Sequence, residues 1–255
     1  MPQLWTEEPR LVVTYDVECA GRVDHDFYLA LAAQLGATDV VDIGCGTGVF
    51  CTDLATRGFR ATGVDPATAM VEAARRRPGA ERVTWIHGTA ADVPPALADL
   101  VVMSGHVAQY FVTDEEWTAT LAQCRTMLRP GGHLAFESRD PRAREWERWT
   151  PDDTRRTYPH PDGGTFESWV EVVDVSGPGD APIETHQGHT VLPSGEHLVS
   201  TETLRFRSAP EIVGTLAGAG LDLVEMWGDW RRSPVSDATG ELIVVAGRPA
   251  SQSPG

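Results

Sequence analysis

The stretch VVDIGCGTG, Val40 to Gly48, is an apolar, strand-like run that breaks into three alternating glycines. Val49 to Arg57 follows with helical spacing and Gly58 supplies the stop, so the unit reads strand, glycine turn, helix. Glycines at such a turn let a ligand approach the backbone amides at a helix N-terminus. The spacing is Gly-x-Gly-x-Gly, however, and Val49 stands where the dinucleotide fingerprint requires its third glycine. Asp42 points the same way, because a carboxylate is repelled by a pyrophosphate but suits a phosphate-free ligand that carries positive charge.

Working outward, Phe59 to Asp65 is a second strand, ending on a carboxylate able to accept from both hydroxyls of a ribose. Asp65 before Pro66 also has the pattern of a helix cap, and Pro66 to Arg77 reads as the next helix. His25 to Gly36 is a helix ahead of the first strand, and Arg82 to Gly88 and Ala98 to Gly105 are the third and fourth strands. Thr113 with Glu116 opens a helix to Arg129 by a capping box, and His133 to Ser138 is a fifth strand after Pro130, Gly131 and Gly132. Such alternation builds a parallel sheet covered by helices.

The alternation fails after Asp140. Asp140 to Asp162 is rich in arginine, tryptophan and proline, and three strand-like runs follow: Phe166 to Val175, Ile183 to Leu192 and Glu196 to Phe206. Pro193, Ser194 and Gly195 join the last two as a hairpin turn. Helix-like Pro210 to Ala219 and two strands, Leu221 to Trp227 and Glu241 to Ala246, complete the pattern. The expected fold is α/β: a Rossmann-like, seven-stranded, mostly parallel sheet with helices on both faces, plus a small antiparallel insertion after the fifth strand. Residues 1–38 are expected as an N-terminal cap region, 39–140 and 208–248 as the core, and 141–207 as an inserted lid.

Composition narrows the function. All 21 basic residues are arginine, so lysine Schiff-base chemistry is excluded and a lysine-bearing phosphate loop is absent. A formal charge of -16 repels nucleic-acid phosphates, and the run Arg75 to Arg77 reads as the cationic end of a helix. Cys19, Cys45, Cys51 and Cys124 have neither zinc-site nor disulfide-framework spacing. Neither a basic leader nor a membrane-length apolar run is present, so a cytoplasmic location, a small-molecule partner, and no nucleic-acid or membrane partner are expected.

The sequence resembles the class I S-adenosylmethionine-dependent methyltransferases over nearly all of Val40 to Arg248. The resemblance rests on VVDIGCGTG, on GVD ending at Asp65, on GTAAD (Gly88 to Asp92) and on LRPGG (Leu128 to Gly132). SGHVAQYF (Ser104 to Phe111) and FESRDP (Phe136 to Pro141) are similar to segments of actinobacterial natural-product members. The resemblance implies that Asp42 and the loop with Gly44, Cys45 and Gly46 face the methionine part of S-adenosylmethionine, and that Asp65 and Pro66 lie at the ribose. It also implies that Met70 covers the adenine, that Ala91 and Asp92 lie beside its amino group, and that Ser104 and Gly105 pass near the cofactor. S-adenosylhomocysteine would be the product, and no metal is expected, because His133, Glu137 and Asp140 cannot share one face of a strand.

Tyr15, in the segment before the sheet, is expected toward the sulfonium face, with Arg22 and His25 touching cofactor or acceptor. His106, Tyr110 and Glu137 follow or end the fourth and fifth strands, where parallel sheets present their ligands. His106 is the first candidate for a base or acceptor-orienting group, with Tyr15 and Glu137 behind it. Trp146, Trp149 and Trp169, with Trp227 and Trp230, are candidates to stack on a flat acceptor. Oxygen, nitrogen and an electron-rich indole carbon of an aromatic natural product all stay open as the methylated atom. A nicotinamide-dependent dehydrogenase would share the sheet but should show the missing glycine spacing, and a non-catalytic S-adenosylmethionine-binding regulator would lack turnover.

Overall fold

The computed structural model describes residues 4–250, without the side chain of Leu4. The strands in chain order are β1 (Asp39–Ile43), β2 (Arg60–Asp65), β3 (Thr84–His87), β4 (Ala98–Met103), β5 (Leu128–Arg139), β6 (Arg156–Pro159), β7 (Thr165–Ser176), β8 (Ile183–Val191), β9 (His197–Arg205), β10 (Asp222–Trp227) and β11 (Glu241–Gly247). The helices are α1 (Leu4–Glu7), α2 (Pro9–Glu18), α3 (Val23–Gln34), α4 (Val49–Thr56), α5 (Thr68–Arg76), α6 (Asp114–Met127), α7 (Pro151–Thr154) and α8 (Ala209–Gly218).

Seven strands form one sheet in the order β10-β11-β5-β4-β1-β2-β3. Strands β1 to β5 pair in parallel, and β11 runs antiparallel between β5 and β10. Both faces are covered, which explains the unbroken apolar character of the central strands. Along β4 the side chains divide: Leu100 and Val102 join Tyr28, Phe50 and Leu54 on one face, while Val101 and Met103 join Trp117, Leu121 and Leu216 on the other. The chain therefore adopts the expected mostly parallel α/β sheet with a separate antiparallel sheet.

Local differences from the sequence reading have physical causes. Helix α5 begins at Thr68, not Pro66, because Asp65 turns back to accept the Ala67 N–H at 2.8 Å. The first free amides of α5 are then capped from a distance, as Glu7 accepts from Thr68 at 3.0 Å and Ala69 at 3.1 Å. Strand β5 begins at Leu128, so Pro130, Gly131 and Gly132 lie within it, and the pairing with β4 shifts register between Ala98 and Leu100.

The insertion is a four-stranded antiparallel sheet, β6-β7-β8-β9; its edge strand β6 is short and was not anticipated. Arg207 anchors its base. The guanidinium is buried, lies 4.9 Å from the Trp117 ring centre, and donates to the Phe111 carbonyl at 2.7 Å. Burial lowers Arg207 to about 10, which leaves it charged near neutrality. At the other end, Arg10 of α2 pairs with Glu196 at 2.7 Å, joining cap and insertion.

Candidate active site

The loop after β1 carries Gly44 (φ 73°), Gly46 (φ 52°) and Gly48 (φ 80°), all left-handed. Their reasons differ. A Cβ on Gly44 would lie 2.5 Å from Val107, and one on Gly48 2.4 Å from the Trp85 ring, so both serve packing as well as the turn. A Cβ on Gly46 would meet nothing nearer than the Tyr15 hydroxyl at 3.7 Å, leaving this glycine the one with room beside it. Cys45 is buried.

Two carboxylates frame the loop. Asp65 accepts the Gly46 N–H at 2.9 Å as well as that of Ala67, so it holds the loop while each oxygen keeps a lone pair. Burial raises its carboxyl above the ordinary range, against the two N–H bonds. Asp42 is 1% exposed; among the described residues its Oδ1 has no hydrogen-bond partner and its Oδ2 has only the Cys51 thiol at 3.6 Å. Burial pushes this carboxyl up to about 8. An orphaned buried carboxylate oxygen next to a glycine loop is a place for a cation or hydrogen-bond donor.

The cap closes over this loop. Asp16 accepts from the Thr47 hydroxyl at 2.5 Å and pairs with Arg77, whose Nε donates to the Thr47 carbonyl at 2.9 Å. Tyr15 and Arg22 line a cavity of about 240 Å³ together with Asp16, Cys19, His25 and Val49. Burial raises the Tyr15 phenol, so it serves as a donor rather than a ready base. Arg22 pairs with Asp24 at 2.8 Å, and its Nη2 stands 2.9 Å from where a Gly105 Cβ would be. Burial, with Arg22 adding to it, lowers His25 to about 4, and its ring packs on Phe50 at 5.1 Å.

The remaining cofactor candidates are dispersed. Pro66 is exposed, with its carbonyl 3.1 Å from His87 Nε2, and Ala91 and Asp92 are exposed on the turn after β3. Asp92 forms a capping box with Thr89. Met70 is only 1% exposed and lies in a cluster with Val12 and Ala67, so α2 rather than open space covers it. Ser104 is buried, and Gly105 carries the chain in left-handed geometry (φ 72°) toward a second cavity.

That second cavity, about 290 Å³, lies between core and insertion. The core contributes Gly105, His106, Tyr110 and Arg139; the insertion contributes Trp149, Thr154, Val170, His186, Glu202 and Leu204. His106 and Tyr110 thus line the same cavity. His106 Nε2 is engaged by Glu241 at 3.0 Å, and Tyr110 donates to Glu202 at 2.6 Å. Glu137 lies beneath the cavity, fully buried, with one oxygen on the Tyr28 hydroxyl and the other accepting the His106 N–H at 2.6 Å. Burial raises its carboxyl, and its geometry is that of a support for the His106 turn.

Of the tryptophan candidates, Trp146, Trp169, Trp227 and Trp230 fall outside the cavity lining. Trp146 packs on Phe206 at 4.7 Å within the insertion, and Trp230 packs on Phe27 at 5.5 Å in the core. Trp169 is stacked on His189 at 4.9 Å with Arg155 above it at 3.6 Å. Trp149 is the tryptophan that lines it. Arg139, His186 and Glu202 are the functional candidates the sequence reading missed. Their signal was present in IETHQGHTV, where Glu184 and His186 fall on the alternate positions that a strand buries.

Comparison with known proteins shows what this arrangement is similar to. Residues 40–132 match the family described as methyltransferase domain. Over that stretch the core is similar to methyltransferase domains. Over 215 residues, 84% of each chain, the sequence is 27% identical to the cypemycin N-terminal methyltransferase of a Streptomyces species. Six further relatives named as methyltransferases are matched over 41% to 50% of their own length, and a biotin biosynthesis bifunctional protein of Cellvibrio japonicus over 22%. Among solved structures, the CcbJ methyltransferase of Streptomyces caelestis aligns with a TM-score of 0.72 at 18% identity, covering 96% of this chain and 99% of that one. The sugar N-methyltransferase KedS8 of Streptoalloteichus aligns with a TM-score of 0.66 at 19% identity, over 90% of this chain and 87% of its own. At those identities the structural likeness carries the methyltransferase fold.

The site suits S-adenosylmethionine by its donor set. Asp42 offers the unpartnered oxygen to an ammonium, Asp65 offers lone pairs to ribose hydroxyls, and Arg22 stands ready for a carboxylate. Among the described residues, no group of three or more potential ligands is arranged to hold a metal ion, and no helix is long and apolar enough to cross a membrane.

Proposed function

We propose that this chain methylates a small molecule held in the cavity between the core and the insertion, which acts as a lid. The observation that supports this most strongly is that Gly105, at the exit of β4 and beside Arg22, is also part of the wall of that cavity. Cofactor loop and acceptor space therefore adjoin at the C-terminal ends of β1 and β4, where α/β sheets present their chemistry. When bound, S-adenosylmethionine supplies an electrophilic methyl group on a sulfonium.

The chain's own residues do the positioning, which is a large share of catalysis for an in-line displacement. Asp42, Asp65 and Arg22 hold the donor; Tyr15 closes over Gly46; His106 and Tyr110, with Trp149 and Arg139, shape the acceptor space. Lid and cap together keep water out. The relatives named for a peptide N-terminus and for a sugar amine both methylate nitrogen, which favours an amine acceptor for this chain without identifying the molecule.

The test combines calorimetry with S-adenosylhomocysteine and a library of candidate acceptors incubated with methyl-labelled S-adenosylmethionine, read by mass spectrometry. Binding that weakens roughly tenfold to a hundredfold in Asp65→Asn, with labelled product from wild type, is the expected result. Binding without any labelled product across the library would favour a regulator instead.

A further inference from the structure

The lid sheet turns an unusual face toward the cavity. On β8, Glu184 and His186 share the inward side, and on β9 Glu202 stands directly opposite His186, with Leu204 opposite Glu184. Glu184 is 0% exposed, and His186 and Glu202 are each 7% exposed. An insertion that served only to pack would place apolar side chains here, since burying ionisable groups is costly unless they are matched.

The groups form a connected line. Glu184 Oε2 meets His186 Nδ1 at 2.9 Å, and His186 Nε2 lies 4.0 Å from Glu202 Oε1. The other Glu202 oxygen takes the Tyr110 hydroxyl at 2.6 Å, so the line crosses from lid to core. The match is incomplete: Glu184 Oε1 is buried without a partner, and Glu202 Oε1 has no donor within bonding distance. Trp149 supports the imidazole edge-on at 5.1 Å.

We propose that Glu184, His186 and Glu202 form a proton relay in the lid that receives the acceptor as an ammonium ion, takes one proton from it, and so makes this chain an amine methyltransferase. The proposal rests on the methyltransferase reading above and specifies its acceptor. The ammonium N–H bonds to Glu202 Oε1, the proton moves to that oxygen, and the nitrogen keeps the electron pair of the broken bond as its free lone pair. Glu202 then turns to close the 4.0 Å gap and gives the proton to His186 Nε2, with Glu184 holding the opposite ring nitrogen, and the proton leaves to solvent when the lid opens. One proton is removed for each nitrogen made nucleophilic.

An amine fits the surroundings better than its competitors. The groups facing Glu202 are His186 and Glu184 from the lid, Tyr110 and Arg139 from the core and Glu18 from α2, so with Glu202 itself three carboxyls stand against one guanidinium. Burial holds Glu202 above the ordinary glutamate range, closer to an ammonium it must deprotonate. A carboxylate acceptor would be repelled by the same groups, and an alcohol is far too weak an acid for a carboxyl relay. The aromatic faces of Trp149 and Tyr110 add attraction for a cation.

The experiment uses the full chain saturated with S-adenosylhomocysteine and a matched panel of benzylamine, N-methylbenzylamine, benzyl alcohol and benzoate. The His186 ring resonances are followed by NMR, assigned with His186→Gln. The amines should shift them and the alcohol and benzoate should not; equal shifts by the alcohol, or none by the amines, overturn the relay. With the same amines as acceptors and methyl-labelled S-adenosylmethionine, Glu202→Gln should lose about 100-fold or more in rate together with the acid limb of the pH profile. Glu202→Asp should recover part of both. An unchanged pH limb in Glu202→Gln, or labelled methyl ether formed from benzyl alcohol, refutes the relay while leaving methyl transfer intact, whereas failure of wild type to bind S-adenosylhomocysteine refutes the methyltransferase reading itself.

Discussion

Asp42 combines deep burial, a missing partner and a carboxyl raised to about 8, which makes it a measurable liability of the free protein. Its pKa is raised in the folded state, so its contribution is fully present below the unfolded value near 4 and is lost as pH rises toward 8. Asp42→Asn cannot ionise, so its unfolding midpoint should gain on wild type from pH 4 to 8, by at most about 1.4 kcal/mol per pH unit. Parallel stability curves would mean that the carboxyl is not held neutral. At His106 the ring is already occupied by Glu241 and the backbone by Glu137, which favours orienting the acceptor over general-base work. His106→Gln should keep most of the single-turnover rate with its pH limb, and His106→Ala should lose it; loss of the limb in both variants would restore the histidine as base. Asp42, Asp65 and the glycines were legible because they lie within one local motif. The His106–Glu241 pair was not, since it joins residues 135 apart that meet only when β11 inserts beside β5.

Elements with local stop and start signals were readable to within a residue or two. Thr113 is the clearest case: its hydroxyl accepts the Glu116 N–H at 3.1 Å, and the Glu116 carboxylate accepts the Thr113 N–H at 3.1 Å. Thr113→Ala should therefore cost about 1 kcal/mol, visible as a lower denaturation midpoint with little change in cofactor affinity. A midpoint equal to wild type would show that α6 is held by its packing through Trp117 and Leu121 alone. Helix α5 was misread at its start because its cap comes from Glu7, 61 residues away, and no local pattern announces that. Strand β6 escaped because Arg-Arg-Thr-Tyr-Pro gives no alternation, and it exists as an edge on β7. In the lid, the strands were legible but not their facing, because β8 and β9 bury the polar residues Glu184, His186 and Glu202, which composition alone does not assign to an inner face.

At the scale of the molecule, cap and lid converge on one end of the sheet. Asp16, Thr47 and Arg77 fasten the cap over the glycine loop, Arg10 and Glu196 join cap to lid, and Arg207 fixes the lid to the turn that bears His106 and Tyr110. The acceptor space is thereby formed by segments distant in sequence, which is why the tryptophans could not be assigned to it by inspection. Single-turnover transfer from methyl-labelled S-adenosylmethionine in Val170→Trp tests this assembly most directly, because Val170 lines the lid side of the cavity from β7. With an indole filling that space, S-adenosylhomocysteine affinity should stay within about twofold of wild type while transfer falls by about 100-fold or more. Transfer at the wild-type rate in a folded Val170→Trp protein would place the acceptor elsewhere and contradict the account.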